Sequence, residues 1–524
     1  MDYLRRLATT GAAYTASSIL SKLIAVFMLP LYTAYLTPSD YGAAEVMLAS
    51  VVAVSIVIRL GVIEAILRFF YLADERPSAV VATGFASLAW TATIASAAAL
   101  PFAGPVSEAL LDHPDPGLAR LAILGLWTLT LWEYVLTLLR LDERPRAYFG
   151  ITVINVLVTI PFTAWLVVVE DQGANGILLG TFGTTAALFL PYRLWQERRR
   201  LAAWPDVPLL RRMLRFGLPT MPAELTLYSL NFIDRIIIVR LAGLAEAGLY
   251  ALAIKFAQGL NVLARGFQLA FPPLAYSISD DDEARRAYAL LVTWFAAVLA
   301  FAVTGLWLEA RWIVRLLAAD EFFASYEAIG LLATGIALYA LYLAMVVVLG
   351  RTGRTEFGLP ATASAVAVNV ALNLILVPSE GIVGAGIALV ASYVVVIALM
   401  YVFTQRLFRV PYEWGRLAMV VLVAGALVGL GELLMPTSGF VGFVGRGALW
   451  LAYPLVLWGL GFLSGEERQW LRVQLRPAAV RAALAGLGGE AAPAEGVSRE
   501  RAEAPEAGAP ETFEQAERDI DRPV

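Results

Sequence analysis

Cysteine is absent from the 524 residues, and histidine occurs once, at His113. The first absence excludes disulfides, thiol nucleophiles and cysteine-ligated zinc or iron–sulfur centres. The second leaves no histidine-rich metal site. Lysine is nearly missing too: of 39 basic residues only Lys22 and Lys255 are lysine. Charge of either sign is scarce, at 16% of residues, where a soluble domain carries about 25%. No phosphate-binding loop, dinucleotide fingerprint or nucleophile elbow stands between a strand and a helix. Nothing therefore points to an ATPase, a dehydrogenase or a hydrolase, and no catalytic residue, cofactor or metal is expected. The net charge of −4 disfavours nucleic acid as a partner.

What is present is apolar surface. The chain is 59% hydrophobic with a mean hydropathy of +0.71, which indicates a polytopic membrane protein. Fourteen stretches reach the roughly 20 residues a spanning helix needs, from 11–36 and 42–68 through to 415–434 and 443–463. Strand-type alternation is absent, which argues against an outer-membrane barrel. The first stretch follows Arg5 and Arg6 but runs too long for a signal h-region, and reads as a retained span. Arginine in short connections sets orientation. With the N-terminus inside, 21 arginines flank the cytoplasmic connections, Arg5, Arg6 and Arg198 among them, against five outside: Arg120, Arg240, Arg311, Arg315 and Arg446. The expectation is a multi-pass protein of the cytoplasmic membrane with both termini cytoplasmic.

The halves repeat. Gly42 matches Gly248, Arg59 matches Arg265, and Leu110-Leu111 matches Leu316-Leu317, each at an offset of 206. Gly173 matches Gly381 at 208. The expected organisation is an N-terminal six-helix lobe over 1–200, a C-terminal six-helix lobe over 201–405 and an added helix pair over 406–464. A tail follows over 465–524, amphipathic across 466–487 and disordered from Gly488. Six is even, so the two lobes share one orientation. Parallel repeats of this kind are a transporter architecture with the path between lobes.

Ionisable groups within spans are costly and tend to face a cavity. Lys22, Arg59, Lys255 and Arg265 are the candidate substrate-binding residues, a cationic lining suited to phosphate or pyrophosphate. The alternative for each is snorkelling or helix-packing ion pairs. Among the acids in spans, Glu64 has Arg68 four residues on, the spacing of a local pair. Glu224, after Pro219 and Pro222, and Asp234 are candidates for a coupling proton or sodium ion, against simple charge balance. Gly61, Gly217, Gly259, Gly266, Pro272 and Pro273 mark possible bends.

The residues Ser21-Lys22, Leu29-Pro30-Leu31-Tyr32 and Leu36-Thr37-Pro38-Ser39-Asp40-Tyr41-Gly42 resemble the opening of bacterial polysaccharide exporters. So do Arg59-Leu60-Gly61 and Leu67-Arg68-Phe69-Phe70, and, in the second half, Asn373-Leu374-Ile375-Leu376-Val377-Pro378 with Gly381-Ile382-Val383-Gly384-Ala385-Gly386. The chain resembles the lipid-linked oligosaccharide flippase family (Wzx type), within the superfamily that also holds multidrug extruders and lipid II flippases. The resemblance implies an all-α fold of about fourteen transmembrane helices, two six-helix lobes around a central cavity. It implies alternating access and an undecaprenyl-pyrophosphate-linked oligosaccharide as cargo, for O-antigen, capsule or exopolysaccharide. It places Lys22, Arg59 and Arg265 near the pyrophosphate. A polysaccharide polymerase and chain-length proteins are the implied partners, beside the bilayer itself. A lipid II flippase is the alternative. A cation-coupled multidrug extruder fits less well, because the first span carries Lys22 and no carboxylate. A membrane polymerase or ligase would need a larger outer loop than 102–118 or 309–325.

Overall fold

The computed structural model describes residues 28–72, 76–354, 357–465 and 467–468. Lys22, the first expected span as far as residue 27, and the tail from 469 lie outside them. The chain divides into two compact units, Met1–Phe462 and Leu463–Val524, and all that follows concerns the first.

Among the described residues every regular element is a helix. The N-terminal lobe contributes α1 (Leu29–Tyr35), α2 (Pro38–Arg59), α3 (Val62–Phe69), α4 (Pro77–Ala99), α5 (Ala103–Leu111), α6 (Pro116–Leu141), α7 (Pro145–Val168), α8 (Gly173–Leu178) and α9 (Leu190–Glu197). After a connecting helix α10 (Val207–Gly217), the C-terminal lobe holds α11 (Thr220–Ala242), α12 (Leu244–Ala257), α13 (Asn261–Ser277), α14 (Asp281–Leu317), α15 (Tyr326–Arg351) and α16 (Gly358–Leu407). The added pair is α17 (Trp414–Leu434) and α18 (Gly439–Gly459), which pack on each other and on α14. Eleven helices among the described residues are long and apolar enough to cross a bilayer. The expected fourteen differ from these in three places. The first span is largely outside the described residues. The 50-residue α16 is two helices joined at Gly381. The 23-residue α11 is long enough but carries Glu224, Asp234, Arg235 and Arg240.

Local chemistry explains how α2 begins. Pro38 occupies the first turn, where its missing N–H costs nothing. Thr37 Oγ1 accepts from the Asp40 N–H at 3.1 Å, and the Thr37 N–H donates to Asp40 Oδ2 at 3.4 Å. This is a reciprocal cap that satisfies two orphan donors. The helix ends where Leu60 and Gly61 both turn left-handed, with φ of 51° and 68°.

The repeat is visible in these details. Gly173 and Gly381 both have φ of +52°. A Cβ at Gly173 would lie 3.5 Å from Asp40 Oδ1, and one at Gly381 would lie 3.1 Å from Glu246 Oε2. Asp40 and Glu246 are themselves 206 apart, so each copy sets an acid of its second span beside the same turn. Gly42 and Gly248, also 206 apart, meet each other across the lobes. A Cβ on Gly42 would sit 2.8 Å from Gly248 N, and one on Gly248 would collide with the Pro38 carbonyl. Only hydrogen fits on either residue. Water expulsion does not drive helix association in lipid, so small residues that let backbones approach do that work. The repeat is not perfect. The break in the first copy falls at Gly61, whereas in the second a tight turn at Gln258–Leu260 comes earlier and leaves Arg265 inside α13.

The packing has a closed end and an opposite end. Around the start of α2, one continuous core draws on both lobes, including Tyr41, Met47, Ile238, Tyr250 and Phe322. Away from it, α3 packs on α4, α6 and α10, while α13 packs on α14 and α15. The N-terminal lobe has its own core there, with Val62, Tyr134, Leu209 and Met213.

Candidate functional site

The lobes meet along α2, which lies against α11 and α12. Among the described residues, ionic contacts join the lobes at three levels along α11. Nearest the closed end, Arg240 at the end of α11 reaches Asp112 and donates to the carbonyls of Glu108 at 3.0 Å and Ala109. The Ala319 N–H donates to Thr33 Oγ1 at 3.1 Å, another link between lobes.

The middle contact is buried. Glu45 of α2 accepts from Lys255 Nζ of α12. Arg235 of α11 lies 3.5 Å from the other Glu45 oxygen and donates to the Glu45 carbonyl at 3.2 Å. The Glu45 side chain is 8% exposed and that of Arg235 11%. Tyr41 places its ring 5.0 Å from the Lys255 ammonium. Beside Arg235, Asp234 is fully buried and receives the Tyr250 hydroxyl and Asn373 Nδ2, both at 2.8 Å. Two carboxylates thus balance two cations, which a low dielectric demands. Asn369 is buried one turn from Asn373, and Asn373 Nδ2 also donates to its carbonyl at 2.9 Å.

The third contact sits toward the opposite end. Arg59 Nη2 donates to Glu224 Oε1 at 2.9 Å, α2 to α11. The Arg59 side chain is 11% exposed and that of Glu224 is 40% exposed. Just beyond, Gly61 and Gly217 place backbone on backbone. Further toward that end, Arg265 is exposed and has no ion pair among the described residues. Arg68 stacks on Phe216 at 4.4 Å, and forms no ion pair with Glu64.

The six candidates therefore separate. Lys22 lies outside the described residues. Arg59 and Glu224, expected to serve different roles, are partners. Lys255 is held by Glu45, so its charge is matched within the protein. Of the three described cations, Arg265 alone has no ion pair among the described residues. Asp234 stands in a buried polar cluster of α11, α12 and α16. Sequence reasoning missed Glu45, although it is the only acid between Asp40 and Glu64. It also missed the polar seam of α7: Asn155 Nδ2 donates to Thr185 Oγ1 at 2.9 Å, and Thr159 shares a 2.6 Å hydrogen bond with Thr184. Thr184 and Thr185 lie in or beside two π-helical turns, Leu179–Gly183 and Thr185–Phe189, a local geometry frequent at functional sites. Asn155, Thr159, Tyr32, Glu45 and Lys255 line a cavity of about 280 Å³.

Comparison with known proteins agrees with this architecture. The profile of a family described as "Polysaccharide biosynthesis protein" matches residues 34–327. Against the curated proteins the sequence finds no match. Among solved structures, the lipid II flippase MurJ in an inward closed conformation is similar with a TM-score of 0.65 at 11% identity, over 87% of this chain and 99% of that one. An inward-facing multidrug resistance MATE transporter of the MOP superfamily is similar with a TM-score of 0.62 at 16% identity, over 76% and 95%. The same class in an outward-facing conformation gives 0.54 at 15% identity, over 79% and 95%. At these identities the likeness is one of fold.

Proposed function

The chain belongs to the polysaccharide biosynthesis protein family, and from that premise we propose that it flips an undecaprenyl-pyrophosphate-linked oligosaccharide across the cytoplasmic membrane by alternating access. The observation that carries the reading is the pair Arg59 and Arg265. Arg59 is paired with a half-exposed carboxylate, and Arg265 is exposed with no ion pair among the described residues. An arginine inside a membrane span is costly unless it faces water or an anion. A guanidinium grips phosphate oxygens bidentately. In this reading the closed end faces outward, as the arginine bias of the connections favours. The pyrophosphate enters from the opposite end, displaces Glu224 from Arg59 and is shared with Arg265 and Lys22. The sugar chain occupies the polar path between the lobes, and the polyprenyl tail stays in lipid. Lys255 then serves the closure of the lobes instead of the cargo.

The test is complementation of bacteria lacking an O-antigen flippase, with a second host lacking the lipid II flippase. Wild type is expected to restore surface polysaccharide in the first host. Arg59→Ala and Arg265→Ala, at matched membrane levels, are expected to reduce it at least tenfold. Full rescue by both variants would remove the arginines from cargo binding. Rescue of the second host alone would make lipid II the cargo.

Coupling belongs, in this proposal, to Asp234 and not to Glu224, which is occupied by Arg59. Asp234 is a buried carboxylate that accepts from a hydroxyl and an amide nitrogen on two other helices, and the amide oxygens of Asn369 and Asn373 have no hydrogen bond among the described residues, a set suited to a sodium ion or a proton. Asp234→Asn in proteoliposomes is expected to abolish the response of the flipping rate to an imposed sodium or proton gradient while leaving the protein folded. An undiminished response would make Asp234 a packing residue.

A further inference from the structure

A second buried carboxylate takes no part in the interlobe contacts and has no hydrogen-bond partner among the described residues. Glu309 is in the last third of α14 and is 7% exposed, and neither of its oxygens has a hydrogen bond. It lines a cavity of about 300 Å³ whose walls are otherwise apolar, with Phe256, Leu260, Leu263, Leu306 and Trp450. The cavity lies between the turn that joins α12 to α13, the helix α14 and the added helix α18. Its one indole N–H is already used, because Trp450 Nε1 donates to the Phe301 carbonyl at 3.0 Å.

The nearby cations are engaged elsewhere. Arg446 is fully buried on α18, but its two terminal nitrogens fork onto Glu432 at 2.6 and 3.2 Å. Arg311 stacks on Tyr326 at 4.1 Å and Arg315 on Phe323 at 4.6 Å. Glu309, Glu432 and Arg446 therefore hold one negative charge in excess. An isolated carboxylate in such surroundings must take up a proton or a cation. The volume stands at the low end for a small-molecule site. Gly259 and Leu263, both among its lining residues, are exposed.

We propose that this cavity binds the ammonium group of an amphipathic molecule, the cation paired with Glu309 and the apolar body against Leu260, Leu263 and Trp450. A membrane aminolipid and an amphipathic amine from solution share that chemistry. Neither Arg59 nor Arg265 lines the cavity, and the inference does not rest on the transport reading.

The test uses the full chain in phosphatidylcholine nanodiscs, titrated with decylammonium and followed by tryptophan fluorescence, with decanol as the neutral control. A saturable ammonium response is expected in wild type and in Glu309→Asp, with at least a tenfold weaker affinity in Glu309→Gln. Decanol is expected to respond equally in all three. If Glu309→Gln binds decylammonium within twofold of wild type, or if wild type shows no saturation, Glu309 holds only a proton and the proposal falls. Added phosphatidylethanolamine that weakens the apparent affinity of wild type assigns the site to the lipid. Without such competition the site belongs to amines from solution.

Discussion

Glu45→Ala is expected to spring the closed end of the molecule. Among the described residues, Glu45 is the single anion that holds Lys255 and Arg235 from the opposite lobe. Its removal leaves Lys255 and Arg235 with Asp234 as their remaining nearby anion. Breaking a buried pair by removing one partner costs about 3–5 kcal/mol, and here two cations lose the same partner. Opening the lobes at that end lets water reach both. The variant is thus expected to shift toward the conformation open at the α2 start and to lose thermal stability in detergent. Because the chain has no native cysteine, the shift can be read directly. Thr33→Cys with Ala319→Cys places two thiols where the Ala319 N–H now meets Thr33 Oγ1 at 3.1 Å. In the otherwise wild-type chain the pair should oxidise to a disulfide nearly completely. With Glu45→Ala added, the yield should fall several-fold. Glu45→Gln should lie between, since an amide keeps the volume and one acceptor but not the charge. Equal crosslinking in all three would show that the backbone contact of Gly42 with Gly248 holds the closed end without help from the ion pair.

Much of the architecture is legible in the sequence, for reasons that are local. A span is a run of apolar residues of fixed length, so composition reveals it. The start of α2 is encoded in Thr37-Pro38-Ser39-Asp40, a cap readable from four letters. The repeat shows through Gly42 and Gly248, and through Gly173 and Gly381, because those positions need the absence of a side chain or a left-handed backbone. The site is less legible because its chemistry lies in pairing. Glu45 stands 190 residues from Arg235 and 210 from Lys255, and Arg59 stands 165 from Glu224. Depth along a helix places Lys255 in a cavity but does not say that an anion already occupies it. Equal spacing of Arg59 and Arg265 suggests equal roles, yet the helix break falls after the first and before the second. Arg68 has Glu64 one turn away and still chooses the face of Phe216, since its position at the helix end brings the ring of α10 within reach.

The exchange Arg59→Glu with Glu224→Arg separates cargo binding from helix packing. As a contact between α2 and α11, the pair is symmetric: reversing it keeps one cation, one anion and the bridge. A purely structural pair should therefore lose function in either single variant and recover it in the double, the signature of a coupled pair. The proposed mechanism predicts otherwise. Arg59 reaches its partner from the end of α2, with a side chain 11% exposed, whereas Glu224 is 40% exposed. An arriving pyrophosphate meets the exposed carboxylate first and must pull the guanidinium away from it. Moving the cation to residue 224 shifts it from the N-terminal to the C-terminal lobe, the same lobe as Arg265. The anion would then be gripped from one side only, and closure around it would lose its driving contact. The double variant is expected to regain membrane levels and thermal stability near wild type, yet to remain at least tenfold deficient in surface polysaccharide. Glu224→Gln alone is expected to act in the opposite sense, because it frees Arg59 for the cargo: tighter cargo binding, with slower release. Recovery of both stability and transport in the double variant would assign Arg59 to packing, and Arg265 would be left as the cargo-facing cation among the described residues.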